Sequence, residues 1–256
     1  MSKNYLLTAT LLVIASLTAT ACSSPHLYSQ PGRVAALEAA KTLDVGEHSV
    51  GAQGGVAYEA SINLTQISAK YRYGLSDQVE VGVDGNLRVV TNMAKLKNRV
   101  NPIILSSRVG AKWAPAALQD YVAVTGGVAG GTYAAGQFLS PDLGVVLAFE
   151  NRYVVPFVSA SGYVSVPVNA QEVDVTLAPR WTYNPSTERN ELEERPQEFS
   201  TPETTWGVTG IAGIRVPVDL GKVTLAPSVG VSLSEFTDGT ESSIAHAANF
   251  GMDVIF

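Results

Sequence analysis

The chain has 256 residues, a net charge of −6 and only 16% charged residues, where soluble domains carry about 25%. That length accommodates one domain or one barrel. An apolar content of 46% excludes a disordered chain, the acidic balance offers nucleic acid no basic surface, and the single cysteine excludes an internal disulfide or a Cys-rich metal site. Beyond residue 21 no run of about 20 apolar residues occurs, so no transmembrane helix follows and any span is built of strands.

Residues 1–21 are organised as a secretory signal: Lys3 at the positive end, an apolar core over 6–17, and the small residues Ala19, Thr20 and Ala21 before the cut. Two cleavages fit. The small residues before Cys22, followed by Ser23 and Ser24, resemble the lipobox of bacterial lipoproteins. That resemblance implies an acylated Cys22 as the mature N-terminus and, with Ser23 after it, sorting to the outer membrane. The family usually has Leu where this chain has Ala19. Ordinary signal peptidase cleavage at the A-x-A of 19–21 is the alternative. Residues 23–32 form a polar tether with Pro25 and Pro31. Residues 33–43, RVAALEAAKTL, have helical composition, with a weak face of Val34, Leu37 and residues 40–43. They are expected as a short helix, either a small plug or a plain lead-in. On the lipoprotein resemblance residues 22–47 are expected as a lipidated tether with a short helix, ended by the turn D-V-G-E.

From His48 the period changes to two. Val50, Ala52, Val56 and Tyr58 alternate with Ser49, Gly51, Gln53 and Gly55. Ile67, Ala69, Tyr71 and Tyr73 oppose Ser68, Lys70 and Arg72. A tight turn over 74–77 leads to Val79, Val81 and Val83 against Glu80, Gly82 and Asp84. Residues 91–102 read as a basic loop with Lys95, Lys97 and Arg99. Strand patterns continue at 105–113 and 122–128, more weakly at 143–149, then at 158–166 and 173–183, the latter among the cleanest. A long acidic loop over 184–204 follows, then strands at 208–216 and 223–233.

The last stretch, AHAANFGMDVIF over 245–256, places Phe250, Met252, Val254 and Phe256 on one parity and Asn249, Gly251 and Asp253 on the other. A final alternating strand with a terminal Phe resembles the C-terminal assembly signal of bacterial outer-membrane β-barrels. The resemblance implies an all-β fold, a single antiparallel transmembrane barrel over 48–256. Outer-membrane lipid and the barrel-assembly machinery are its implied partners, and Phe256 is the recognised residue. Alternation gives about 11 strands where bacterial barrels have an even number, so about 10–12 are expected, with 12 favoured. Either the weak segment at 143–149 does not span, or a strand near 87–90 or 132–139 is missing from the reading.

A soluble β-sandwich also alternates. The polar parity here is poor in charge and rich in Gly, Ser, Ala and Thr, as a crowded lumen requires. The charges expected to face and pair within that lumen are Lys70, Arg72, Glu80, Asp84, Arg108, Lys112, Asp174, Arg180, Arg215 and Asp253. Aromatics cluster at strand ends, as interfacial girdles do.

Catalytic motifs are absent: there is no P-loop, G-x-G-x-x-G, H-E-x-x-H or G-x-S-x-G. Glu241, Ser242, Ser243 and His246 bring a nucleophile, base and carboxylate together in sequence, but Ser243 and His246 fall on opposite faces of a strand. The acidic loop lacks a Ca²⁺-loop pattern. No cofactor, metal or nucleic-acid site is expected. The expected role is a structural barrel or a passive pore for small solutes. A soluble periplasmic sandwich lipoprotein that binds a ligand, or an outer-membrane lipid-modifying enzyme, is the alternative.

Overall fold

In a computed structural model of the chain, residues 28–33, 36–59, 62–91, 102–176, 179–184, 189–193 and 197–256 are described. The signal segment, Cys22 and the basic residues Lys95, Lys97 and Arg99 lie outside these.

Seven long strands follow one another: β1 (His48–Glu59), β2 (Ile62–Ser76), β3 (Val79–Thr91), β4 (Ile103–Trp113), β5 (Val122–Tyr133), β6 (Gly136–Ala148) and β7 (Val155–Val168). An excursion over 169–204 then carries β8 (Val173–Asp174), β9 (Arg180–Asn184), β10 (Arg189–Glu193) and β11 (Phe199–Ser200). The chain returns as β12 (Thr205–Arg215), a short β13 (Val218–Asp219), β14 (Thr224–Thr237) and β15 (Ser242–Ile255).

Each long strand pairs antiparallel with its neighbours. β12 joins β7 to β14, and β15 pairs with β1 along its length. One sheet therefore closes on itself as a barrel of ten strands, with β13 beside it. This overturns the sandwich alternative, in which two separate sheets would pack face to face. It also overturns the count of 12. The segment at 143–149 is the second half of β6, which spans fully. Residues 87–90 belong to β3, and 132–139 hold the tight turn between β5 and β6. The pattern at 173–183 is not a wall strand. Its ends pair in two small separate sheets, β8 with β11 and β9 with β10.

Alternation sets the faces. Along β6 every second residue from Phe138 to Val146 is buried, while Leu139, Leu143, Val145 and Leu147 are exposed. The outer wall is a band of Val, Leu and Ile, continued by Val109, Val158, Val208, Val229 and Val231. Contiguous apolar surface of this extent is foreign to a water-exposed protein. Strands of 11 to 15 residues at about 3.3 Å per residue, tilted by about 40°, rise roughly 28–38 Å, enough for an apolar band of about 25 Å.

The two ends differ. At the base, where β1 starts and β15 ends, His48 and Phe256 exchange both backbone hydrogen bonds at 2.9 Å. Tyr71, Trp113, Tyr121, Phe149, Tyr153 and Phe256 are exposed there as a girdle. At the opposite end, the rim, lie the two longest connections, 92–102 and 169–204.

Candidate functional site

Residues 28–33 and 36–43 run through the lumen from rim to base. They are not helical. An isolated helix of eleven residues is marginal in water, and here the wall offers the backbone better partners. Tyr28 packs edge-on against Phe236 at 4.9 Å beside the β14–β15 turn. The Ser29 N–H donates to Thr205 Oγ1 at 3.0 Å, and the Ser29 and Ser165 hydroxyls lie 2.9 Å apart. Gly32 passes so close to Ala129 and Ser140 that a Cβ on it would overlap both. Midway, the Leu37 N–H donates to Gln53 Oε1 at 3.3 Å. Near the base the Leu43 N–H donates to Glu80 Oε2 at 3.1 Å, and Thr42 Oγ1 to the Asp77 carbonyl at 2.7 Å.

The carbonyls of this luminal segment are held from the wall in the same way. Arg88 Nη2 donates to Pro31 O at 2.8 Å, and Lys70 Nζ to Leu37 O at 3.4 Å. Lys112 Nζ donates to Ala39 O at 3.3 Å and Lys41 O at 2.9 Å. Buried backbone groups must find partners, and a segment outside the sheet ladder finds them in wall side chains.

Ion pairs complete the filling. Arg108 grips Asp142 with two bonds of 2.7 Å and reaches Asp84 at 3.3 Å. Its guanidinium lies against Gly110 and Gly127, where a Cβ on either would collide with it. Arg72 pairs with Asp84 at 2.7 Å and Glu38 at 3.2 Å, and lies 3.9 Å from Glu80. Lys112 pairs with Glu80 at 3.1 Å; Lys70 and Arg215 share Asp253 at 2.9 and 3.3 Å. From the luminal segment, Arg33 bonds Glu38 at 2.8 Å and Thr125 Oγ1 at 2.7 Å. Charges taken out of water need such compensation, and each of these carboxylates has a cation within reach. Arg88 instead meets neutral oxygens, Gln30 Oε1 at 3.3 Å and Pro31 O. The spaces left beside the segment at mid-barrel are about 10 Å³ each, room for about one water. A vestibule of about 240 Å³ opens near the base.

Of the charges assigned to the lumen from sequence, Lys70, Arg72, Glu80, Asp84, Arg108, Lys112, Arg215 and Asp253 join this network. Asp174 and Arg180 are corrections: they stand on β8 and β9, which pair in two small separate sheets, so neither lies on a wall strand. Asp142, Arg33 and Glu38 are additions. Asp142 shares the buried parity of Ser140 and Val146, a signal present in the sequence. Arg33 and Glu38 carry no such signal. Of the sequence-stretch candidates for catalysis, His246 faces outward, stacked 5.6 Å from the Tyr58 ring, while its neighbour Ala247 is buried. Among the described residues no group of three metal-ligating side chains forms. Phe256, more than half exposed, stacks 5.8 Å from His48.

The sequence matches no family model and no curated protein. Solved structures with a similar strand architecture include Neisserial surface protein A, at 13% identity over 81% of this chain and 95% of that one, with a TM-score of 0.32. The β domain of the Bordetella autotransporter BrkA aligns at 10% identity over 83% and 99%, TM-score 0.43. Ail of Yersinia pestis aligns at 14% over 83% and 99%, TM-score 0.30. Likeness at this level concerns architecture and carries nothing about activity.

Proposed function

We propose that the chain is an integral protein of the bacterial outer membrane, anchored by a lipid on Cys22, with a structural role that is neither enzymatic nor solute-conducting. The apolar outer band and the aromatic base support membrane placement. The lipobox-like residues before Cys22 support the anchor, and the terminal strand with Phe256 supports delivery by the barrel-assembly machinery. One observation carries the choice between pore and closed barrel: the lumen holds residues 28–33 and 36–43 and the ion pairs around them, with single-water gaps at mid-barrel. Selective passage needs a continuous lined path, and the filling of the lumen by the described residues supports the closed reading.

The test is conductance across a planar bilayer by purified full-length protein, with folding certified by heat-modifiable gel migration. The expected result is folded protein with no steady conductance. Steady conductance from the intact chain would overturn the closed-barrel reading. Mass spectrometry of the N-terminal peptide tests the anchor: a diacylglyceryl Cys22 is expected, and an unmodified one removes the lipid while leaving the barrel.

A further inference from the structure

The luminal segment has a direction. Its C-terminal end passes through the turn at 44–47 into β1 at the base, where the Gly46 N–H donates to Gly74 O at 3.0 Å. Its N-terminal end lies at the rim: Tyr28 touches Phe236, two residues before Asp238 in the β14–β15 turn, and Ser29 touches Ser165 and Thr205, which flank the long excursion. Tyr28 and His48 therefore stand at opposite ends of the barrel, although only twenty positions separate them in sequence.

We infer that the chain crosses the membrane once through its own lumen before it builds the wall, so that the mature N-terminus emerges at the rim, on the cell-surface side. The reading rests on the outer-membrane placement proposed above. Bacterial barrels keep short turns on the periplasmic side and longer loops outside. Here the two longest connections are at the rim and both ends of the wall are at the base. The anchor follows from reach. Cys22 lies six residues before Tyr28, at most about 20 Å of extended chain. That is shorter than an apolar band of about 25 Å, so an acyl chain on Cys22 enters the leaflet nearest the rim. The protein is then a lipoprotein of the outer leaflet, with its first residues displayed at the surface, whereas a plain tethered barrel would hold its lipid in the periplasmic leaflet. Clamping at rim, middle and base, through Ser165, Gln53 and Glu80, fixes the direction.

The test uses single cysteines in the full-length chain on intact cells, probed with a membrane-impermeant maleimide and read above the parent chain. Ser24→Cys and His26→Cys report the N-terminus, Thr240→Cys the rim and Lys222→Cys the base; heat-modifiable migration certifies each fold. The expected result is that S24C or H26C labels within about twofold of T240C, while K222C labels only after permeabilisation. If S24C and H26C stay protected while T240C labels, the lumenal crossing is overturned and the barrel placement stands. If K222C labels on intact cells and the other three do not, the surface assignment is overturned through the barrel's orientation, because the N-terminus still follows the rim.

Discussion

In the wall, parity alone decides a residue's surroundings. On β4, Ile104, Ser106, Arg108 and Lys112 are buried, while Leu105, Val109 and Trp113 are exposed. In the luminal segment no period exists: Leu37, Glu38, Ala39 and Ala40 are buried in succession. The wall satisfies its backbone through the ladder and has its side chains free for lipid or lumen. The segment has no ladder, so its peptide groups are satisfied by wall side chains, and its own Arg33 and Glu38 enter the wall's charge network. The inward cations thereby hold a polypeptide where a pore would leave them to meet solutes.

Removing one partner breaks the comparison most severely. Deletion of residues 29–43 spares the wall ladder and is expected to give steady conductance across a planar bilayer, where the intact chain is expected to give none. Folded protein that stays silent would mean that wall side chains alone close the lumen. The next effect is Arg108→Ala, which leaves the carboxylate of Asp142, 1% exposed, without its main partner. Breaking a buried pair costs about 3–5 kcal/mol, read as a lowered urea midpoint of detergent-refolded protein. Lys41→Ala, whose pair with Asp44 is at least half exposed, is expected to cost about 0–1 kcal/mol; equal losses would contradict the buried-network account.

Third, Val229→Arg on the outer wall is expected to cost about 2–4 kcal/mol near the bilayer midplane, while Thr224→Arg, at the vestibule, costs clearly less. The reverse order would invert the faces. The smallest stability effect belongs to Phe256. Full burial of a Phe contributes about 1.5–3 kcal/mol, and this one is 54% exposed. Its deletion should barely move the unfolding midpoint yet reduce the heat-modifiable protein recovered from outer membranes. Recovery at the level of the intact chain would remove its role as an assembly signal.

The wall was legible because a half-buried strand writes its environment into a two-residue period, as in 67–84, which form the β2–β3 hairpin with Lys70 opposite Asp84, the turn falling at 77–78 instead of 74–77. β6 was half missed because Pro141 and Asp142 look like a loop. Pro141 faces outward in the wall, and Asp142 turns inward to meet Arg108. The stretch at 173–183 alternates as well as any wall strand, but among the described residues its partners are only the short β10 and β11. Residues 33–43 misled by composition. Ala, Leu, Glu and Lys favour a helix when only local terms count, and the partners that override this propensity come from six different wall strands and are invisible in the segment itself. Twelve strands were favoured because the clean outer pattern of 173–183 was counted as wall.

The seam between β1 and β15 gives the luminal segment a place in time. These two strands lie at opposite ends of the barrel sequence yet pair residue for residue, from Ser49 opposite Ile255 to Glu59 opposite Ala245. Once that seam is shut, the segment could enter only by drawing Arg33 and Glu38 endwise through a ring already filled by Arg72, Arg108 and Lys112. Wrapping the sheet around a segment already in position avoids that passage, and the segment's charges then meet their partners as each strand arrives. The order of assembly is thereby written into the topology: the luminal segment is in place before the last strand closes over it.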